Sequence, residues 1–206
     1  MNGVNAPFGL RPTRTQSGAP IAEAQNQYAI ASGYATNIFT WDPVTVLADG
    51  TIGIGVAGAA CLGLFVGCKY QLPAPQANGN SFVFSPYWPA STVVKTGTVV
   101  EAMVIDSPDL VMEVQETDAA GTGAGTPLTL ADRNLNINFV VNAGSAAGGG
   151  QSRVSINNAS EAVTATLNLK ILDIAPIPGN PVGNFAVWLV TWNNHIMKGG
   201  TGTAGV

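Results

Sequence analysis

Four groups of residues in this chain have the types and spacing that chemistry could use, and each can be tested against the structure its chemistry needs. Gly53, Gly55 and Gly58 spell a glycine fingerprint for dinucleotide phosphates. That chemistry requires a helix N-terminus facing the pyrophosphate and an acid about twenty residues on. No helical pattern follows, and there is no Asp or Glu between Asp49 and Glu101. Glu113, Glu116 and Asp118 form a small acidic group, but neighbouring positions on a strand alternate between faces, so Glu113 and Glu116 diverge. The expected reading is a solvated edge, not a calcium site. His195 is the only histidine, and it lies beside Trp192, Asn193 and Asn194 with no serine in an exposed elbow. It is expected to be structural. Cys61 and Cys68 sit seven residues apart, roughly 23 Å in an extended strand, too far for a disulfide. Buried free thiols fit a cytoplasmic assembly site. No metal, no cofactor and no catalysis are expected.

Four tryptophans remain: Trp41, Trp88, Trp188 and Trp192. Trp188 and Trp192 share one face of a strand and could stack on a sugar, although such a pair more often packs in a core or an interface. The strand that carries them, residues 185–192, is apolar on both faces and is the centre of the chain's organisation. Before it, residues 166–171 alternate polar and apolar with period two, and a loop rich in Pro and Gly joins the two segments. A hairpin of this kind needs a second layer over its outer face, from another sheet or another subunit.

The rest of the chain reads as many short strands. They are expected at 44–47, 62–70, 82–84, 99–105, 110–116, 135–141 and 153–156, with a turn at Asp49-Gly50 and a hairpin turn at Asp106-Ser107-Pro108-Asp109. One short helix is expected at Thr126-Pro127. Loops at 118–125 and 143–151 are rich in Gly and Ala. Residues 1–27 form an extended N-terminal arm, with Phe8 and Leu10 as anchors and Arg11 and Arg14 as its cations. Residues 28–198 form the β-domain, and 199–206 a flexible tail. The fold class is all-β, a jelly-roll-like β-sandwich.

Composition narrows the partners. Of the 206 residues 46% are hydrophobic and only 10% charged, with a net charge of −4. Nucleic-acid binding needs clustered cations, and none occur. Residues 52–68 are uncharged but broken by glycine, so no membrane partner is expected, and residues 1–12 lack the apolar core of a signal peptide.

The opening Asn5-Ala6-Pro7-Phe8-Gly9-Leu10-Arg11-Pro12 resembles the start of the head decoration, or capsid cement, proteins of tailed bacteriophages. The resemblance continues at Asp42-Pro43-Val44, Phe65-Val66-Gly67, the run from Pro108 to Glu116, Asn134-Leu135-Asn136, residues 164–172 and Trp188-Leu189-Val190. It implies a non-enzymatic homotrimer, often a jelly roll, bound to the major capsid protein on the outer surface of the virion where capsomers meet. Glycine-rich inserts at 121–125 and 148–150 depart from the family pattern. On this reading Phe8, Leu10, Arg11, Arg14, Trp188 and Trp192 are the partner-binding residues, with the arm leaving its own domain to cross a neighbour or the capsid. Another virion component, of tail or fibre, and a carbohydrate-binding sandwich are the alternatives.

Overall fold

The computed structural model describes residues 3–21, 25–77, 79–199 and 201–205. The all-β expectation is met. The strands are β1 (Arg11–Thr15), β2 (Asn26–Ile30), β3 (Pro43–Val46), β4 (Ile52–Ile54), β5 (Gly63–Gln71), β6 (Phe82–Ser85) and β7 (Val100–Ile105). They continue as β8 (Leu110–Thr117), β9 (Asn136–Ile137), β10 (Phe139–Val140), β11 (Ser155–Asn157), β12 (Leu169–Ile174) and β13 (Val187–Trp192).

The strands make two sheets, set against each other and each curled around a core. The first runs β10-β11-β8-β13-β12-β9, with β1 added along the start of β8. Its two ends are consecutive in the chain. β9 pairs with β12, then after Asn138 the same extended segment pairs with β11 as β10. Residues 136–140 therefore join both edges and close the sheet into a barrel. Ile137 and Phe139 alternate inward, to meet Met112, Val114, Ile171, Trp188, Val190 and Trp192. The second sheet runs β2-β7-β5-β3-β4, with β6 on the far half of β5. Here β2 and β4 approach without a ladder, and the Tyr34 hydroxyl fills the gap by accepting the Ile54 N–H at 2.9 Å. Its core holds Ile38, Phe65, Tyr70, Trp88 and Val104.

β13 is central, between β12 and β8, as its two apolar faces require. Trp188, Val190 and Trp192 fill the barrel, while Leu189 packs outside against Val111 and Ala175. Within the chain the covering layer is not a sheet. It is the chain's own Pro- and Gly-rich loop, folded back and held by Asn180, whose amide donates to Ala175 O and Val187 O and accepts the Val187 N–H.

Four local expectations change. The Asp106–Asp109 turn closes no hairpin, because β7 belongs to one sheet and β8 to the other; it is the arch between them. Residues 164–168, read as the start of a strand, turn instead. Asn193 binds the carbonyls of Ala165 and Leu167, and Asn194 that of Thr166, so side chains take the place of a ladder. The helix signal at Thr126-Pro127 gives no helix; a 3-10 turn forms at Leu130–Asp132, where Thr129 and Asp132 make a capping box. The tail is strapped down as well: Thr203 donates to Asn193 Oδ1, and Gly205 N–H to Val163 O.

The arm is the largest change. Residues 3–15 lie along their own barrel. Gln115 accepts the Ala6 N–H and donates to Val4 O, Gly9 N–H reaches Val154 O, and β1 pairs with β8. Gly9 takes a φ of +88°, and a Cβ there would stand 2.6 Å from that of Ser152. The chain so aimed drives Leu10 into the barrel core, where it is fully buried. The strands thus begin well before Tyr28, and the arm acts as a strap on its own domain. Met1, Asn2 and the acid of the following linker, Glu23, lie outside the described residues, as do Gly200 and Val206 of the tail. Leu10→Ala should therefore cost about 2–5 kcal/mol, the range for a buried leucine. Denaturant unfolding measures it, and a loss under half a kcal/mol would put Leu10 outside the core.

Candidate functional site

None of the constellations seen in the sequence comes together as a catalytic site. Glu113 points outward and pairs with Arg11 across the β1–β8 ladder, with Arg11 Nε 3.1 Å from Glu113 Oε2. Glu116, three residues on, points inward and is fully buried. Asp118 accepts the Thr122 N–H at 2.9 Å and closes its own loop. No group of three or more His, Cys, Asp or Glu side chains among the described residues is placed to hold a metal. Gly53 and Gly55 lie at β4, with no helix beyond them. His195 is buried; its Nδ1 accepts the Met197 N–H, and its ring rests 5.7 Å from that of Trp192.

The residues expected to bind a partner are split by the fold. Trp188 and Trp192 are barrel core, fully enclosed, and present no platform to a sugar or a subunit. Leu10 is core too. Phe8 is half-buried beneath the Arg11 guanidinium, 5.0 Å from its ring centre, and Arg11 is engaged by Glu113. Only Arg14 is exposed, with a long contact to Thr15 O. Both cysteines are free and buried, and burial pushes each thiol up to about 12.

Two titratable groups are held in strained electrostatic settings, and one of them, Glu116, corrects the reading of the acidic group as a solvated edge, because it is fully buried. Asp42 caps the turn before β3 by accepting the Phe39 N–H at 2.7 Å, and burial raises its pKa to about 6. Glu116 sits inside the barrel beneath Trp188. Its Oε2 accepts the Leu128 N–H at 2.9 Å, while Oε1 has no well-formed partner, and burial raises its pKa to about 7. A buried carboxylate without an opposite charge is costly, and taking up a proton relieves it. The only sign of this in the sequence was an acid in the inward register of an apolar strand.

The surface offers two further features. On β6, Phe82 and Phe84 point outward side by side, 50% and 75% exposed. They lie at the unpaired edge of the second sheet, next to Met103 and the Lys69–Glu101 ion pair. A strand is expected from the sequence at 82–84, but three consecutive apolar residues do not tell which face meets water. Between the strap and three loops of the first barrel lies a cleft of about 470 Å³, with Arg153 on its wall. No family model, no curated protein and no solved structure matches the chain.

The buried acids fix a pH dependence. Asp42 and Glu116 have folded pKa values above their ordinary ones, so the folded protein keeps protons that the unfolded chain releases. Their burial is tolerated below about pH 4 and becomes destabilising as pH rises through 6 to 7. His195 acts oppositely: burial lowers its pKa, and stability falls as pH drops below its ordinary 6.5. Two carboxyls outweigh one imidazole. The melting temperature should fall from pH 5.5 to pH 8, and Glu116→Gln should flatten that slope and raise stability at pH 8 by about 1–3 kcal/mol. A slope unchanged in Glu116→Gln would refute the assignment.

Proposed function

We propose that this protein is a structural component of a tailed-phage virion, a decoration protein that binds the outer capsid surface as a homotrimer, in contact with the major capsid protein at capsomer junctions. The observation that carries the reading is the outward face of β6. Two phenylalanines stand in water on an uncharged strand whose far edge has no partner. Covering a phenylalanine stabilises by about 1.5–3 kcal/mol, and an apolar edge strand left bare invites unwanted pairing. A chain that exists only as part of an assembly resolves both. The low charge of the whole sequence and the resemblance along residues 5–190 support the same class.

On this proposal copies meet through Phe82, Phe84 and Met103, because Trp188, Trp192 and Leu10 are enclosed in the barrel and Arg11 is engaged by Glu113. The capsid is then gripped by the remaining loops of each copy. The enclosed indoles leave the carbohydrate alternative without a platform.

Light scattering after gel filtration, together with sedimentation on undecorated capsids, tests the proposal. The unmodified chain should run as a trimer and pellet with capsids. Phe82→Ser with Phe84→Ser should run as a monomer, keep its circular-dichroism spectrum and lose at least about tenfold in capsid binding, as expected when three linked attachments become one. A wild-type chain that stays in the supernatant at saturating capsid would sink the functional reading. A double variant that still forms trimers would remove β6 from the interface.

A further inference from the structure

Arg153, like Arg14, Lys95 and Lys170, has no acid partner among the described residues, and it alone of these four lines the cleft beside the strap. Four other cations are ion-paired: Arg11 with Glu113, Lys69 with Glu101, Arg133 with Asp173 and Lys198 with Asp109. The Arg153 guanidinium has no hydrogen bond or ion pair among the described residues, in a protein whose net charge is −4. It is not on a mobile stretch. The flanking Ser152 and Val154 are buried, Val154 O accepts the Gly9 N–H, and Arg153 O accepts from Asn142 Nδ2 at 3.1 Å.

Arg153 lines the 470 Å³ cleft, and the other lining residues are uncharged, with the amides of Asn5 and Asn142 among them. Asn5 stands across from it, its Nδ2 donating to Thr122 O at 2.7 Å and its Oδ1 unengaged. Asn142 is pinned by Gly121, which takes a φ of +73° and whose Cβ would collide with the Asn142 amide. Pro7 completes the strap side. No acid lines the cleft, and nearby Asp118 is turned to its own loop's N–H groups. An arginine fork matches a carboxylate with two parallel hydrogen bonds, and neighbouring amides satisfy hydroxyl or amide groups beside it. The absence of an aromatic wall makes the charge, not stacking, the recognition element.

We propose that this cleft is a binding site for a small carboxylate ligand, with Arg153 receiving the carboxylate and Asn5 and Asn142 its polar neighbours. Two sources share that chemistry, an acidic amino-acid group and an acidic sugar. The site is independent of the contact placed on β6.

Two-dimensional amide NMR of the full-length protein, titrated separately with N-acetylglutamate, glucuronate and the neutral control N-acetylglutamine, decides it. Saturable shifts at Asn5, Thr122, Asn142 and Arg153 with at least one acid are expected, weakened at least about tenfold by Arg153→Ala and by 0.5 M NaCl. Stronger binding of N-acetylglutamate identifies an amino-acid carboxylate, and stronger binding of glucuronate an acidic sugar. Arg153 is exposed, so the variant should keep a dispersed spectrum; should it not, Arg153→Gln replaces it. The proposal is overturned if neither acid gives saturable shifts, if the variant titrates like the wild type, or if N-acetylglutamine binds as well as the acids.

Discussion

The closure of the first sheet through residues 136–140 is the constraint on which the rest of the molecule depends. A five-residue segment satisfies two edges at once, β12 on one side and β11 on the other. Asn138, at the changeover, holds both neighbours: its carbonyl accepts the Asn157 N–H, and its Oδ1 accepts the Asn168 N–H. The strands of the closed path have neighbours on both sides, which leaves no free edge along it. Edges without a strand partner among the described residues fall on β1, which pairs only with β8, and on the second sheet, where β2 and β4 stop short of pairing and β6 hangs on half of β5.

Closure in so short a barrel leaves little regular ladder, and asparagine supplies the difference. Asn168 is fully buried; it accepts the Gly58 N–H and donates to Val56 O and Ala59 O, stitching the barrel to the loop before β5. Asn136 binds the carbonyls of Thr164 and Thr203, and Asn193 those of Ala165 and Leu167. An amide offers two donors and an acceptor with no charge to desolvate, so buried irregular backbone is satisfied at lower cost than lysine or aspartate would incur. The 10% charged composition follows from this choice. Asp42 and Glu116 are the exceptions, and their raised pKa values register the cost.

How much of this was legible in the sequence depended on whether a feature was local. The strands around 44–47, 62–70, 82–84, 99–105 and 110–116 were readable because period two and β-branched runs are properties of a few consecutive residues. The central place of β13 was readable from its two apolar faces. The covering layer was not, since a loop of Pro and Gly gives no hint that Asn180 will fold it back. The strap was misread for a related reason. Pro7, Gly9 and Pro12 do prevent self-contained structure, but Gly9 uses its freedom to turn Leu10 inward, and β1 borrows its ladder from β8, about a hundred residues away. The same applies to Asp106–Asp109: a tight turn between two apolar runs specifies a reversal, not whether the second run returns to the same sheet. Phe82, Phe84 and Arg153 were invisible as site residues because exposure and pairing are decided by distant segments.

The segments that carry the family resemblance fall on this frame. Gly9 and Leu10 form the strap's inward turn, Asp42 caps the turn before β3, Gly67 approaches the Ser85 backbone too closely for a side chain without adjustment, and Asn136 and Trp188 belong to the closed barrel. Each is a position where geometry restricts the residue type. β6 and Arg153 itself fall outside those segments; the cleft takes one wall, Asn5 to Pro7, from the opening segment, and the glycine-rich stretch 121–125 forms part of its rim. A frame can be shared by proteins that attach to different partners, because attachment is written on surfaces the frame leaves unconstrained. The resemblance thus bears on how the chain folds, while Phe82, Phe84 and Arg153 stand exposed at positions it does not cover.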